Sequence, residues 1–244
     1  MDSVPFLLAV FLAGLLSGGT AAVIGFGIGS LLTPLLTLRM TPELAVTAVA
    51  LPHLLATAVR FTRHAPAVHR PTFLRFGLWS AAGGLAGALL QAALSGPALL
   101  ATLGALLVAT GAASMTASPG RWRPPPRVAL GLGLLSGLFG GLAGNQGGLR
   151  AAGLLAFDLQ PRAFLATSTA VALLVDLART PVYLVRAGPR LWTLAPAIAV
   201  AGLGCLLGTV WGERLLARIS PTTYRRLVGA GVAAVGVWLL ARAL

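Results

Sequence analysis

The sequence predicts an all-α polytopic membrane protein of two inverted repeats, each of about four segments. The first segment of each repeat is expected to be a glycine-broken, re-entrant-like helical hairpin. Three observations carry this expectation. Hydrophobic residues make up 57% of the 244-residue chain and charged residues 9%, against about 45–50% and about 25% in ordinary globular proteins. Eight apolar segments follow one another along the chain. The first half of the sequence recurs in the second at one constant offset.

The charge balance excludes the soluble alternative. All 18 basic residues are Arg, opposed by five acids (Asp2, Glu43, Asp158, Asp176 and Glu213), for a net charge of +13. In a soluble protein that balance points to nucleic acid, but a mean hydropathy of +0.89 leaves too little polar surface to hold this chain in water. A single cysteine, Cys205, excludes a disulfide framework, a zinc cluster and an iron–sulfur site. The opening Met-Asp-Ser-Val-Pro lacks the basic region of a cleaved signal peptide, so its apolar run is expected to be retained. The absence of Lys beside abundant Ala, Gly, Arg and Leu has the composition of a GC-rich bacterial genome.

The apolar segments cover about 4–38, 43–59, 72–95, 97–117, 128–157, 163–185, 191–212 and 227–243. Residues 118–127, with three consecutive prolines, cannot continue a helix and are read as a cytoplasmic linker between repeats 1–117 and 128–244. At an offset of 119, Gly14-Leu-Leu-Ser-Gly18 recurs as Gly133-Leu-Leu-Ser-Gly137, Gly25 as Gly144, Gly29 as Gly148, Pro42 as Pro161 and Arg60 as Arg179. Matched leucines are cheap in such a chain; matched Gly, Pro and Arg are not.

Segments one and five are anomalous in the same way. As a single helix, residues 4–38 would be about 53 Å long, against about 30 Å of hydrocarbon. Each is interrupted at the same relative place, by Gly25-Phe-Gly-Ile-Gly29 and by Gly144-Asn-Gln-Gly-Gly148. Clustered glycines weaken a helix and permit positive φ, so a fold-back is expected there. If both hairpins return to their own side, loops 60–71, 118–127, 158–162 and 213–226 share the cytoplasmic face. They then hold eleven arginines, against four on the opposite face, as the preference for basic cytoplasmic loops requires. Each repeat then has an odd number of crossings, and the two copies are inverted.

Glycine-interrupted segments at corresponding positions of inverted repeats point to a transporter's central site. The return arm of each hairpin begins at the Gly loop, so its free N–H groups and positive dipole end face the membrane interior. Two such ends suit a small anion. The candidate binding residues are Gly25, Gly27, Gly29, Gly144, Asn145, Gln146, Gly147, Gly148, Arg150 and Arg179. The alternative is that these glycines only permit close helix packing. Arg150 either points at a bound anion, pairs with Asp158 or snorkels to the interface. Asp176 and Arg179, three apart on one helix face, either neutralise each other or serve the anion and a coupled proton. His53 is a second proton-coupling candidate or a satisfied core histidine. Thr167-Ser-Thr169 either donates hydroxyls to substrate or caps helices. Gly83-x3-Gly87 and Gly204-x3-Gly208 read as helix-packing motifs, and Cys205 as a small core residue.

No enzyme signature is present. The chain carries no metal-ligand cluster, no nucleophile elbow and no phosphate-binding loop, so no catalytic residue, metal or cofactor is expected and any pumping must draw on a gradient.

Ala13-Gly-Leu-Leu-Ser-Gly, Gly25-x-Gly-x-Gly29 and Leu32-Thr-Pro-Leu-Leu36 together resemble the first-repeat signature of the TauE/SafE sulfite exporter family, also called the toluene sulfonate uptake permease family. Leu135-Ser-Gly-Leu-Phe-Gly-Gly-Leu-Ala-Gly-Asn-Gln-Gly-Gly148 and Gln160-Pro-Arg-Ala-Phe-Leu-Ala-Thr-Ser-Thr169 resemble the second. The resemblance covers nearly the whole chain. It implies a bacterial inner-membrane permease for sulfur-containing anions such as sulfite or sulfonates. The chain departs from the family's usual pattern at Phe26, Ile28, Asn145, Gln146 and Gly153, and Asn145-Gln-Gly-Gly-Leu-Arg150 followed by Val175-Asp-Leu-Ala-Arg-Thr-Pro-Val-Tyr183 looks like a distinct branch.

The expectation is therefore a secondary transporter for a small anion, working by alternating access around a midplane site. Its expected partners are the anion, a coupled proton and the bilayer, with a homodimer among the allowed assemblies and no role for nucleic acid. A passive anion channel and a non-transporting membrane scaffold are the alternatives.

Overall fold

A computed structural model describes residues 3–94, 96–116, 123–216 and 220–244. Its described residues form helices α1 (Val4–Ile24), α2 (Ile28–Leu36), α3 (Pro42–His64), α4 (Arg70–Leu90), α5 (Gly96–Thr116), α6 (Pro126–Ala143), α7 (Gly147–Leu154), α8 (Pro161–Ala187), α9 (Arg190–Leu216) and α10 (Pro221–Ala243), with short 3-10 turns after α3, α4 and α7. All but α2 and α7 are long and apolar enough to cross a membrane. The fold is all-helical and polytopic.

Proline sets many of the starts. Pro5, Pro42, Pro71, Pro126, Pro161 and Pro221 each stand in the first turn of a helix. A missing N–H costs nothing there and the fixed φ is already helical. This moves one expected boundary. Of the linker assigned to 118–127, residues 118–122 lie outside the described residues, as does Arg218, while Pro126 and Arg127 already belong to α6.

Both anomalous segments break where the glycines predict. α1 ends at Gly25 (φ 89°), whose N–H bonds the Ala21 carbonyl, and α6 ends at Gly144 (φ 73°), whose N–H bonds the Gly140 carbonyl. Both conformations are left-handed, which glycine alone adopts without penalty. The arms of each broken segment are unequal. The 21 residues of α1 rise about 31 Å, a full hydrocarbon thickness, whereas the nine of α2 rise about 13 Å. Both α1 and α6 thus qualify as crossings by length, where the sequence count had treated each whole segment as a hairpin returning to its own side. The glycines fall late in the apolar run, and Arg39 and Pro42 then stop the return arm early.

The repeats interlock. α1 runs parallel to α9, with Gly14 facing Ala201 and Gly208 facing Leu15 and Gly19; α6 runs parallel to α4 in the same way, with Gly133 facing Phe76 and Gly141 facing Gly84 and Ala88. These two pairs are copies of one another under the offset. Two further pairs join equivalent helices in antiparallel sense. On α3 and α8, His53 meets Asp176, while the backbone N–H of His69, just beyond α3, reaches Thr167. On α5 and α10, Gly104 faces Gly236 and Gly111 faces Gly229.

The parallel seams need glycine. A Cβ on Gly18 would overlap the Cys205 carbonyl, and one on Gly137 the Ser80 carbonyl. The repeated Gly-Leu-Leu-Ser-Gly motif is therefore a helix-packing device. So are Gly83, Gly87, Gly204 and Gly208, as expected, since each faces backbone of its partner helix. Cys205 is buried in the α1–α9 seam, 3.8 Å from Ser17 Oγ.

Candidate functional site

The two glycine breaks meet inside the bundle. A Cβ on Gly29 would overlap the carbonyl oxygen of Gly144, and one on Gly147 would overlap the Cβ of Phe26. Glycine at 29 and 147 is thus what lets the breaks touch. The intrahelical bonds of α2 begin at Leu31 N–H to Gly27 O (3.1 Å), and those of α7 at Arg150 N–H to Gln146 O (3.2 Å). The amides just before them lie outside the helical ladders, at the positive ends of two helix dipoles.

What lines the junction comes mainly from the second repeat. Residues 144–147 are all buried, whereas Gly25 and Phe26 are half-buried. Asn145 Nδ2, both side-chain polar atoms of Gln146, and Thr33 Oγ1 are enclosed without a hydrogen-bond partner. Ser136 Oγ donates to the Gln146 carbonyl at 2.7 Å and fixes the second break from α6. Leaving such groups unpaired in an apolar interior is costly; the two amide nitrogens and the Thr33 hydroxyl can donate, and the Gln146 oxygen can only accept.

Four ionised side chains surround the junction. Arg150, 2% exposed, donates from Nε to Ser168 Oγ (3.0 Å) and from Nη2 to the Gly25 carbonyl (3.3 Å), while its Nη1 has no partner. Arg179 is committed elsewhere. Its Nε and Nη2 lie 3.1 and 2.9 Å from Asp176 Oδ1, and its Nη1 donates to the Gly140 carbonyl. Tyr183 donates its hydroxyl to the Gly141 carbonyl, and its ring lies 5.9 Å from the Arg179 guanidinium carbon. Asp176 also accepts a 2.6 Å bond at Oδ2 from His53 Nδ1, across the α3–α8 contact. Thr57 Oγ1 stands 3.4 Å from the same ring nitrogen.

The fourth is Arg60, and sequence reasoning misplaced it. Counted as a cytoplasmic-loop residue, it is in fact inside α3 and 5% exposed, donating from Nη1 to the Ala21 carbonyl with its Nε unpartnered. Arg60 and Arg179 are repeat equivalents, and so are their acceptors Ala21 and Gly140. Each guanidinium therefore caps the C-terminal end of its own repeat's broken helix, where the dipole favours a cation. A buried arginine near a helix end reads in sequence like a loop arginine; its match to Arg179 at the constant offset was the signal that distinguished it.

Of the predicted residues, Gly25, Gly29, Gly144, Asn145, Gln146, Gly147 and Arg150 gather at the junction. Gly27 (φ 139°) backs onto Thr20 and Gly148 onto Thr110, so both serve the turns from behind. Arg179 sits beside the junction, bound to Asp176. The pairing of Arg150 with Asp158 does not occur, because Asp158 lies at the surface, 2.8 Å from Arg123. His53 and Asp176, read as separate candidates, form one unit. The Thr167–Thr169 hydroxyls divide, Ser168 holding Arg150 and Thr167 accepting from the His69 backbone. Thr33 and Tyr183 are not among the predicted site residues.

The family model described as Sulfite exporter TauE/SafE matches residues 10–239. No curated protein and no solved structure matches the chain. The matched span takes in both glycine breaks, all four buried ionised side chains and every helix that holds them. The chain belongs to the sulfite exporter TauE/SafE family of membrane transporters.

Proposed function

We propose that the protein is a secondary transporter that carries a small anion across the bacterial inner membrane. The substrate class is sulfite, another sulfur-containing oxyanion or an organosulfonate, and the protein alternates access about the junction of its two glycine breaks. One observation carries this reading: two broken helices bring their positive ends together inside the bundle, beside guanidinium, amide and hydroxyl groups that lack partners. Such donors, fixed before the ligand arrives, favour an oxyanion.

The antiparallel contact of equivalent helices α3 with α8 and α5 with α10 supports inverted repeats, since a two-fold axis along the membrane normal would make equivalents parallel. The His53–Asp176 pair, on the α3–α8 contact, is the proposed proton carrier. Histidine titrates near neutral pH, and Asp176 Oδ2 lies 2.6 Å from His53 Nδ1.

Proteoliposomes holding the purified protein test the reading with radiolabelled sulfite, sulfate, a sulfonate and an organic acid. Saturable uptake of a sulfur oxyanion is expected, with accumulation against its gradient when the exterior is acid. Folded protein that moves no anion sinks the transport reading. Flux that never runs uphill under any ion gradient identifies a passive channel instead.

A further inference from the structure

We infer that Arg60 and Arg150, and not Arg179, supply the counter-charge for the transported anion, and that the site they form prefers a doubly charged oxyanion to a singly charged one. The inference rests on the anion-site reading above and sharpens its substrate class.

The single buried carboxylate of the cluster, Asp176, faces Arg179 at Oδ1 and His53 at Oδ2. Arg179 is thereby neutralised and placed. Arg60 and Arg150 have no carboxylate within ion-pair distance among the described residues, yet both are almost wholly enclosed. Isolated buried charges are expensive, and two of one sign near each other more so.

The two also converge. Arg60 reaches from α3 to the carbonyl of Ala21, and Arg150 reaches from α7 to the carbonyl of Gly25. Those oxygens stand four residues apart, in the last turn of α1 and at the glycine that ends it, so both guanidiniums are held at the same helix end. Each keeps an enclosed nitrogen without a partner, Nε of Arg60 and Nη1 of Arg150. Two partial bonds to carbonyl oxygens orient the side chains and leave two unit charges uncompensated. A ligand carrying two negative charges on several oxygens balances both; a monoanion leaves one guanidinium buried and unpaired.

Sulfate and methanesulfonate test this, because they share a tetrahedral oxyanion and differ by one charge. Binding to the purified full-length protein in detergent is measured by titration calorimetry at fixed ionic strength. The wild type is expected to bind sulfate at least about tenfold more tightly, the scale of one charge-assisted hydrogen bond. In Arg60→Gln and Arg150→Gln that preference falls towards one, and Arg60→Lys and Arg150→Lys recover part of it because the charge returns. Equal affinity for the two anions in the wild type overturns the inference, whatever the variants do. So does an unchanged preference in glutamine variants that elute as monodisperse protein. Binding of neither sulfate nor methanesulfonate, together with no anion flux in proteoliposomes, would instead count against the anion-transport reading itself.

Discussion

At Gly25 and again at Gly144 the chain turns out of a long helix through a left-handed glycine (φ 89° and 73°), begins a short return helix, and receives an arginine onto the last turn it has left. The first break then offers Phe26 and the second Asn145 and Gln146. The first is half-buried, the second wholly enclosed. Asp176 has Thr57 as its equivalent, and Arg150 has Leu31. The same broken-helix backbone thus occurs twice, while the buried amides and Asp176 occur in one copy only. The shared features are those any broken helix needs: a glycine that can turn and a cation at the dipole's negative end. The unshared features, the two amides, Asp176 and Arg150, all belong to the second copy, although the proposed anion site also draws Arg60 from the first.

Substituting equivalent positions in the two copies sharpens or breaks this division. The largest effect is expected at the ion pair. Asp176→Asn leaves Arg179 buried beside Arg60 and Arg150 with no carboxylate, and removing one partner of a buried pair costs about 3–5 kcal/mol. Its equivalent, Thr57→Ala, loses at most one weak contact, about 1 kcal/mol or less. Thermal unfolding in detergent should separate the two variants widely, and equal losses would break the asymmetry.

Glycine at the contact point comes next. Gly29→Ala drives a methyl group into the Gly144 carbonyl, an overpacking on the order of 1–3 kcal/mol. Gly25→Ala meets open space and carries only left-handed strain, about 1–2 kcal/mol. If Gly25→Ala proves the more damaging in unfolding midpoint, the breaks do not meet as described.

A third comparison sets stability against function. Arg60→Gln removes a buried charge that no carboxylate among the described residues balances, and with it the cation at the end of α1; the two effects offset, so the fold should change little while anion flux collapses. Arg179→Gln orphans Asp176 and should lower stability. Flux and unfolding midpoint measured on both variants decide it, and a stable Arg179→Gln beside an unstable Arg60→Gln would reverse the assigned roles. The smallest effects belong to the lining. Asn145→Ala should weaken anion affinity about tenfold, the worth of a hydrogen bond to a charged group, and Phe26→Ala should change it little. Comparable losses in a binding titration would mean that both copies line the site.

Much of this was legible in the sequence. The glycine clusters place both breaks within five residues, because left-handed backbone has few other sources, and the 119-residue offset makes α1 equivalent to α6 and α3 to α8. Which helix faces which was not legible. Periodicity locates a face and is silent on its neighbour, so His53 and Asp176, 123 positions apart, stayed separate candidates. The antiparallel contact of α3 with α8 holds a clue in its arithmetic. In an antiparallel pair of equivalents, contact 53–176 implies contact 172–57, and positions 172 and 57 are Ala and Thr. The couple thus exists once, which repeat matching alone obscures. Arg60 was misread because positive-inside counting treats an arginine near a helix end as loop. Burial, which a single sequence does not display, reassigns it.

The central claim, that an anion crosses this protein through the junction of the two breaks, is tested most directly by sulfite flux into proteoliposomes bearing wild-type or Arg150→Gln protein at matched, folded amounts. The account predicts saturable flux for the wild type and its near-complete loss in the variant. Equal flux from the two, or none from either, would contradict it.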